Sequence, residues 1–513
     1  MGGVIRHKVA HVSSGALVGF NGELIEVEAD LKAGLPSLQI VGMGNKAIDE
    51  ARQRVRSAIN NSLLTFPAKK ITVNLAPAEL PKDGTHLDVP IALSILIASG
   101  QLKQTEVADT LFVGELGLDG SIRPIKGAIV LAELARSHGL RRIAVPSQNT
   151  AQASLVVGIE IIGVSHLSEL YRSLKGVAVL IPANPPISSL AIAPTQVITL
   201  DSIVGHEHAK RALIVAAAGR HNLLLSGSPG AGKTLLAKAL TSLLPPLSRQ
   251  ESIEVTKLHS LTHEGGLIHV HPPLRSPHHS ATLTSVIGGG LRPRPGEVSL
   301  AHKGVLFLDE LPEYTRGTLE ALRQPLEDRV ITLSRLYGYI SYPADILLVA
   351  TMNPCPCGYL GDEHTPCRCS ATQIQHYQKR VSGPLLDRID LRLTIKKINN
   401  EQLFITNTLN KNQQSKVLEK ITTARKAQAL RYKRSDYYNS QASLEEARTL
   451  FNVTDNATRF LRSAGSKLHL TSRGYIRILR VARTIADLDK SDNLEENHIA
   501  EALQYRQSLN TSD

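Results

Sequence analysis

A short glycine-rich segment constrains this chain more than any other feature of its sequence. The segment GSPGAGKT, residues 227–234, follows the apolar run HNLLL and precedes the helical pattern LLAKALTSLL. A loop of this composition, placed between a buried strand and a helix, wraps phosphate groups with its backbone N–H groups. Lys233 would neutralise the β- and γ-phosphate oxygens, and Thr234 would place its hydroxyl on Mg²⁺. The sequence therefore predicts a P-loop nucleotide-binding core.

A second motif lies downstream, where the apolar run GVLFL ends in two carboxylates, Asp309 and Glu310. One carboxylate can hold the water shell of Mg²⁺ while the other polarises an attacking water, as phosphoryl transfer to water requires. An ordinary strand with an acidic end is the alternative interpretation. The runs HNLLLSG, GVLFLDE and DILLVATMN are bounded by polar or turn residues, which is typical of buried parallel strands. We therefore expect ATP and Mg²⁺ to be cofactors.

The composition indicates a multidomain protein with a phosphate-rich partner. A chain of 513 residues with 42% hydrophobic residues can bury two or three cores. The apolar runs are shorter than the roughly 20 residues of a membrane span, and no signal-peptide pattern opens the chain. We therefore expect a cytoplasmic protein with no membrane partner. The net charge of +12 favours nucleic acid, although a soluble basic surface without such a partner is the alternative.

The order of patterns divides the chain into four segments. The stretch IPANPPISSLAIAP at residues 181–194 contains four prolines, which neither a helix nor a central strand tolerates. Before it, short β-branched runs alternate with helical patterns, and after about residue 400 only helical, Lys- and Arg-rich patterns remain. We predict an α/β N-terminal domain (1–178), a linker (179–199), an α/β P-loop core (200–398) and a helical lid (399–513).

Longer stretches of the chain resemble one family. The segment DSIVGHEHAKRALIVAAAGRHNLLLSGSPGAGKT resembles the beginning of an AAA+ ATPase module. Together with RSPHHSATLTSVIGGGLRPRPGEVSLAHKGVLFLDELPE it resembles the ComM/YifB family of magnesium-chelatase-like AAA+ proteins, as do KKITVNLAPAELPKDG, MNPCPCG and SGPLLDRIDL. The resemblance implies an ATP-driven homohexameric helicase that promotes branch migration of recombination intermediates in natural transformation. Its implied partners are single-stranded and branched DNA and, further, recombination proteins.

The resemblance also implies roles for single residues. Asn353 corresponds to sensor 1, which orients the attacking water together with Glu310. Arg388 corresponds to an arginine finger for the neighbouring subunit, and Arg473 to the sensor 2 arginine of the lid. Surface or salt-bridged arginine is the alternative for both. The implied nucleotide-binding set is Val204, Gly205, Gly227, Ser228, Pro229, Gly230, Ala231, Gly232, Lys233, Thr234 and Leu235, with Thr234 and Asp309 on Mg²⁺.

Contacts with DNA are expected on two insertions of the core. The segment LRPRPG carries Arg292 and Arg294. The segment VITLSRLYGYISYP predicts a hairpin with Arg335, Tyr337 and Tyr339 near its tip. Basic and aromatic residues on such loops suit contact with backbone phosphates and packing against bases, without readout of sequence. Packing of the tyrosines between subunits is the alternative.

The N-terminal segment FVGELGLDGSIRPIKGAIVLAELARSHGLRRIAVP resembles the proteolytic domain of the Lon family. Lon-type peptidases need a serine nucleophile activated by a lysine base. Here His86 stands at the serine position, and Ile129 stands near the lysine position, with Lys126 offset from it. We expect a Lon-protease-like fold without its catalytic dyad, which faces DNA or organises the ring. Catalysis by Ser94 or Thr85 in place of the missing serine is the alternative.

All the cysteines of the chain lie in one loop, at Cys355, Cys357, Cys367 and Cys369. Two C-x-C pairs can close on one tetrahedral Zn²⁺, so we predict a structural zinc site that stiffens the connection between Asn353 and Arg388. A redox thiol switch and unliganded thiols are the alternatives. Because the P-loop belongs to a different strand, we expect loss of a ligand to impair assembly before it impairs nucleotide binding.

Two other functions fit parts of these patterns. One is a magnesium-chelatase-type motor subunit that inserts metal into a porphyrin. The other is a regulatory or chaperone-like AAA+ scaffold that binds protein through its N-terminal domain.

Overall fold

The computed structural model of the protein describes residues 9–42, 46–80, 82, 84–180, 198–262, 267–290, 293–335, 338–397 and 413–506. Most of the predicted linker, residues 181–197, lies outside the described residues. So do Arg292, Tyr337 and the side chain of Arg335. The described chain is a mixed α/β structure with two large sheets.

The first sheet is mixed and has seven strands: β1 (Ala10–Val18), β2 (Asn21–Lys32), β3 (Ser37–Val41), β4 (Lys70–Ala76), β5 (Thr110–Phe112), β8 (Arg142–Pro146) and β9 (Glu160–Val164). A separate small hairpin is formed by β6 (Glu115–Leu116) and β7 (Ile122–Arg123). The spatial order of the seven strands is β3-β4-β2-β1-β5-β8-β9. Only the β1/β2 and β2/β4 pairs of this sheet are antiparallel.

Five helices accompany this sheet: α1 (Lys46–Asn61), α2 (Asp88–Ala98), α3 (Ala128–Ser137), α4 (Thr150–Ala153) and α5 (Leu167–Leu174). Helix α2 is buried from Asp88 to Leu96, which explains its almost uniformly apolar sequence. The buried Asp88 carboxylate is bonded to Arg54 at 2.7 Å, the partner that a buried charge requires. At the two positions aligned with the Lon dyad, His86 is hydrogen-bonded to the Gly15 carbonyl at 2.9 Å and Ile129 is buried in the core.

The second sheet is parallel throughout and consists of β10 (Leu223–Gly227), β11 (Leu274–Arg275), β14 (Val305–Leu308), β17 (Leu347–Met352) and β18 (Leu391–Ile395). The spatial order is β11-β14-β17-β10-β18. The runs HNLLLSG, GVLFLDE and DILLVATMN supply β10, β14 and β17, which confirms their prediction as buried parallel strands. Because β10 lies between β17 and β18 and is parallel to both, the carboxyl ends of the three strands lie side by side.

Shorter elements surround this sheet. The helices are α6 (Glu207–Gly219), α7 (Lys233–Thr241), α8 (Arg249–Ser260), α9 (Leu283–Ile287), α10 (Glu297–Leu300), α11 (Arg316–Ala321), α12 (Arg323–Asp328), α13 (Ala371–Gln378) and α14 (Gly383–Leu386). Two antiparallel pairs complete the set: β12 (Gly288–Gly289) with β13 (Arg294–Pro295), and β15 (Val330–Arg335) with β16 (Gly338–Pro343).

The C-terminal part is helical, as predicted, with α15 (Gln413–Tyr432), α16 (Leu444–Leu450), α17 (Asp455–Lys467), α18 (Ser472–Leu488) and α19 (Glu496–Gln504). Helix α18 begins at an N-cap in which Thr471 accepts a hydrogen bond from the Gly474 N–H. Its apolar residues Ile478, Val481 and Ile485 recur at helical spacing and share one hydrophobic cluster with α6 and the second sheet. Among the described helices, none has the length and apolar character needed to cross a bilayer.

Helix α3 of the N-terminal part packs against α8 and against the β15-β16 hairpin, two elements that surround the second sheet. One hydrophobic cluster contains residues of α3 together with Leu258 of α8 and Tyr342 of β16. At the same contact Lys257 is 2.6 Å from Glu133, and the Gly127 N–H donates to the Ser260 carbonyl at 2.9 Å. The base of the β15-β16 hairpin is therefore held by the N-terminal part of the chain.

Candidate functional site

The P-loop joins β10 to α7 as predicted, and two of its glycines have backbone torsions that other residues rarely adopt. Gly230 and Gly232 have φ of 78° and 81°. The Lys233 ammonium donates to the carbonyls of Gly227 (2.6 Å) and Ser228 (3.1 Å). Burial lowers the pKa of Lys233, while the nearby carboxylates of the site act in the opposite direction. The loop thus places one partly desolvated cation at the carboxyl end of β10.

The segment that carries Val204 and Gly205 borders this loop. Gly205 has a φ of 65°, and His206 follows it with a φ of 55° before α6 begins. A Cβ atom added to Gly232 would lie 3.5 Å from the His206 ring nitrogen Nε2. The structure therefore brings the predicted Val204–Gly205 segment beside the P-loop.

The two acidic residues lie at the same edge and are tied to the P-loop by hydroxyl groups. Thr234 donates to one carboxylate oxygen of Asp309 at 3.2 Å, and Thr351 donates to the other. The Glu310 N–H donates to the Thr351 hydroxyl at 3.2 Å, and Glu310 has a φ of 54°. Hydroxyl and carboxylate oxygens are the ligands that Mg²⁺ prefers, so the Thr234 and Asp309 pair fits that ion.

Asn353 completes this group from the end of β17. Its side-chain oxygen accepts a hydrogen bond from Lys233 at 3.0 Å. The residues predicted from three separate motifs, Lys233, Asp309 and Asn353, therefore converge on one place. The cause is the sheet order, because β10 and β14 both pair with β17.

His279 also reaches this group, although it was not among the predicted site residues. Its Nδ1 atom lies 3.7 Å from a Glu310 carboxylate oxygen. The centres of the His278 and His279 rings are 4.1 Å apart. The Tyr314 ring packs edge-on against the His279 ring, with the two centres 6.5 Å apart. This separation exceeds the length of a hydrogen bond, so His279 neighbours the Glu310 carboxylate without bonding to it directly. The sequence pattern RSPHHS contains no signal for this approach, which depends on the path of the loop.

Arg388 and Arg473 are not brought to Lys233. Both line a cavity of about 300 Å³ that also contains Asn222, the residue just before β10. The Arg388 guanidinium is paired with Glu327 and donates to the Pro384 carbonyl at 2.8 Å. The P-loop begins at the other end of β10, about 16 Å away at about 3.3 Å per residue. The two arginines therefore lie at the amino ends of the strands, whereas the nucleotide site of the same chain lies at the carboxyl ends.

The four cysteine sulfurs form one cluster. The Sγ atom of Cys355 is 3.3 Å from that of Cys357 and 3.6 Å from that of Cys367, and all four sulfurs lie within 4.8 Å of one another. Four thiolates at 2.3 Å from one tetrahedral Zn²⁺ would be about 3.8 Å apart. The N–H groups of Tyr359 and Arg368 donate to Cys357 and lower its pKa to about 6. The pKa values of the other three thiols are raised. It is therefore the spacing of the four sulfurs that fits Zn²⁺.

The cysteine loop also touches the P-loop. Gly358 lies against Pro229, and a Cβ atom added to it would be 2.7 Å from the proline Cδ. The Ser228 side chain interacts with the Asp362 carboxylate and contributes to lowering its pKa. The P-loop belongs to a different strand, as expected, but it is not independent of the cysteine loop.

Three family models match successive stretches of the chain. Models of the magnesium chelatase subunit ChlI match residues 199–403, residues 27–149 and, for the ChlI C-terminal region, residues 411–506. The chain is 42% identical over 503 residues to the competence protein ComM of Haemophilus influenzae, covering 97% of each protein. It is 41% identical over 500 residues to the uncharacterized protein YifB of Salmonella typhimurium, again covering 97% of each.

The chain belongs to the ComM/YifB family of magnesium-chelatase-like proteins. Similarity to a magnesium-chelatase 67 kDa subunit, from Heliobacterium mobile, is more restricted: 28% identity over 186 residues, or 30% of this chain and 28% of that subunit. The family resemblance predicted from the sequence motifs is therefore confirmed over nearly the whole chain.

The loops predicted to contact DNA lie together in this member of the ComM/YifB family. Arg294 is exposed on β13, and the Tyr342 hydroxyl of the hairpin donates to the Pro293 carbonyl at 2.9 Å. Tyr339, near the hairpin turn, is 80% exposed. Lys126 of the N-terminal part has a lowered pKa, caused by burial and by repulsion from Arg294. Two basic side chains that repel each other in this way form a place suited to an anion.

Proposed function

We propose that the protein is an ATPase that acts as a homohexamer, moves along single-stranded and branched DNA, and promotes branch migration of recombination intermediates during natural transformation. ATP and Mg²⁺ are its cofactors, and Zn²⁺ has a structural role in the cysteine loop. The observation that carries the ATPase assignment is the convergence of Lys233, Asp309 and Asn353 at one strand edge. The family relationship to the competence protein ComM supports the DNA substrate.

Each side chain of the site has a definable part in hydrolysis. The backbone of the P-loop and the Lys233 ammonium bind the β- and γ-phosphates, and the buried position of Lys233 strengthens that attraction. Glu310 accepts the proton of the attacking water, while Asn353 orients that water. Mg²⁺, held by Thr234 and Asp309, would neutralise charge on the phosphate oxygens. His279 lies beside Glu310, 3.7 Å from its carboxylate.

The position of Arg388 and Arg473 at the amino ends of the strands supports a ring. In a head-to-tail assembly of identical chains, the surface that carries the P-loop of one chain can meet the surface that carries Arg388 and Arg473 of the next. A nucleotide at one chain's P-loop would then be completed by Arg388 of its neighbour, and Arg473 would approach the same nucleotide. A positive guanidinium supplied by a second chain can stabilise the charge that develops on the γ-phosphate.

The basic and aromatic surface of the loops supports DNA as the substrate. Arg294, Lys126 and the exposed Tyr339 form a set suited to phosphate contact and base packing, and Arg292, Arg335 and Tyr337 belong to the same loops by sequence. The N-terminal part, proposed as a Lon-protease-like fold, carries no dyad at the aligned positions of His86 and Ile129. Its contact with α8 and the hairpin supports a role in holding the DNA-facing loops.

A magnesium-chelatase-type motor subunit is the second candidate, because the matching family models carry that name. Similarity to ComM extends over 97% of the chain, however, whereas similarity to the Heliobacterium mobile magnesium-chelatase subunit extends over 30% of the chain. We therefore favour the DNA substrate. A protein-binding scaffold is the third candidate.

The deciding experiment is branch migration of a synthetic Holliday junction by the full-length protein with and without ATP. We expect ATP-dependent migration that Glu310→Gln abolishes. In parallel, ATP hydrolysis should be stimulated by forked DNA and not by a porphyrin with Mg²⁺ or by unfolded protein. Stimulation by the porphyrin, with no effect of DNA, would contradict the proposal.

A further inference from the structure

We infer that the four-cysteine loop controls nucleotide affinity in its own subunit, with Asp362 as the positioning residue for Ser228 of the P-loop. The inference concerns the nucleotide pocket alone. It therefore holds whether the motor acts on DNA or on another substrate.

The first contact is steric. A turn closed by a hydrogen bond of 3.0 Å from the Gly358 N–H to the Cys355 carbonyl carries Gly358 against the ring of Pro229. Gly358 has a φ of 86°, and a Cβ atom there would be 2.7 Å from Pro229 Cδ. Only glycine permits this backbone conformation together with so close an approach. The cysteine turn therefore packs directly against the P-loop at Pro229.

The second contact is polar and buried. The Asp362 side chain is 4% exposed and accepts hydrogen bonds from the His364 and Thr365 N–H groups, both at 3.0 Å. Its carboxylate also interacts with the Ser228 side chain of the P-loop. These bonds hold the pKa of Asp362 at about 2, so its carboxylate remains ionised at working pH. Lys397 lies 3.4 Å away and balances its charge, which would otherwise repel nucleotide phosphates.

Metal occupancy sets both contacts because the loop has almost no core of its own. Across residues 353–370, all of which the structure describes, Cys355 is the one hydrophobic residue that is buried. A segment with so little apolar burial needs a cross-link to remain ordered, and four thiolates on one metal ion provide it. The loop then ends at a capping box in which Ser370 and Gln373 begin α13.

An ordered P-loop binds nucleotide more tightly because less conformational freedom is lost on binding. Asp362 and Gly358 supply that order from outside the P-loop. Loss of the metal should therefore weaken nucleotide binding directly, within the same chain. This reverses the order of effects expected from the sequence, in which assembly was to suffer first.

The test of Asp362 measures two quantities on the full-length protein: zinc content, and the dissociation constant for a non-hydrolysable ATP analogue. Asp362→Asn should keep its zinc and bind the analogue about tenfold more weakly, since the carboxylate with which Ser228 interacts becomes a neutral amide. Glu363→Gln is the matched control, because Glu363 pairs only with the exposed Lys396 at 3.0 Å among the contacts of the described residues. Unchanged affinity in Asp362→Asn would overturn the positioning role.

The test of the metal uses the same two measurements on wild-type protein treated with a chelator and then given Zn²⁺. Zinc content and nucleotide affinity should fall together and recover together. Cys367→Ser should reproduce the low-zinc, low-affinity state, and circular dichroism would establish that the rest of the chain stays folded. Zinc loss without any change in affinity would overturn the inference, as would protein purified without chelators that contains no zinc.

Discussion

The side-chain amide of Asn222 donates a hydrogen bond of 2.9 Å to the carbonyl of Arg388. This bond fixes the loop of Arg388 at the amino end of β10, while Lys233 follows the carboxyl end of the same strand. Within one chain the guanidinium is paired with Glu327 instead of a phosphate. The arrangement has a direct consequence for mixed assemblies.

Arg388→Ala subunits are expected to inhibit wild-type subunits beyond simple dilution, because each variant chain disables its neighbour's site. The measurement is the ATPase rate of mixtures at a fixed total concentration. Arg323→Ala is the control, since Arg323 pairs with Glu320 on a neighbouring helix and is 41% exposed. A strictly proportional decline with the Arg388 variant would contradict action between subunits.

Glu310→Gln should bind ATP normally but hydrolyse it at least about 100-fold more slowly, the usual range for loss of a general base. Lys233→Ala should lose nucleotide binding itself. Binding of a fluorescent ATP analogue and phosphate release separate the two effects. Glu313→Gln, which removes a nearby exposed carboxylate paired with Arg380, should leave both values unchanged. Normal phosphate release by Glu310→Gln would remove its assignment as the base.

Arg335→Ala combined with Tyr337→Ala should uncouple DNA movement from ATP hydrolysis. We expect ATPase activity to persist while branch migration is lost, because the stem of the hairpin remains anchored by the buried Tyr342. Thr332→Ala, on the exposed face of the same hairpin, is the control. Unchanged branch migration in the double variant would place the DNA contact elsewhere, with Arg292 and Arg294 as the next positions to replace.

DNA affinity should fall steeply with salt and depend little on base sequence. Replacing Arg294 or Lys126 by Ala should each reduce the slope of log affinity against log salt by about 0.9, the value for one phosphate contact. Fluorescence anisotropy at several salt concentrations measures the slope. Lys175→Ala, whose ammonium is paired with Glu106 at 3.3 Å, should leave it unchanged. A wild-type slope in both test variants would exclude these side chains as phosphate contacts.

Asp345→Asn should destabilise the core by about 3 kcal/mol at pH 7, the usual cost of breaking a buried ion pair. Burial alone would raise the pKa of Asp345, but Arg220, Lys303 and Arg329 hold it well below its ordinary range. A lowered folded-state pKa contributes stability above the unfolded value of about 4 and loses it as pH falls further.

Urea unfolding midpoints of wild type and Asp345→Asn should therefore differ at pH 7, and the difference should shrink progressively as the pH falls below about 4 toward the folded-state pKa. Asp436→Asn is the control, since Asp436 is 53% exposed and pairs with Arg434 at the surface. A constant difference between wild type and Asp345→Asn across this range would contradict an electrostatic origin.

Much of the nucleotide site could be predicted because its signals are local. The P-loop requires a strand, a glycine-rich turn and a helix in immediate succession, and all three are encoded within residues 222–241. The same holds for the buried strand ending in Asp309 and for the spacing of the four cysteines. Hydrophobic pattern and turn chemistry act between neighbouring residues, so the sequence by itself determined these elements.

The contacts between these elements were decided only by the tertiary structure. Asp362 meets Ser228, His279 meets Glu310, and Arg388 lies away from its own P-loop, yet no spacing along the chain encodes any of these relations. They follow from the order β11-β14-β17-β10-β18 of parallel strands. This order places the carboxyl ends of β14 and β17 beside the P-loop, whereas the Arg388 loop lies at the amino ends of the strands. Packing of whole strands and loops sets such distances, because each depends on every element between the two residues.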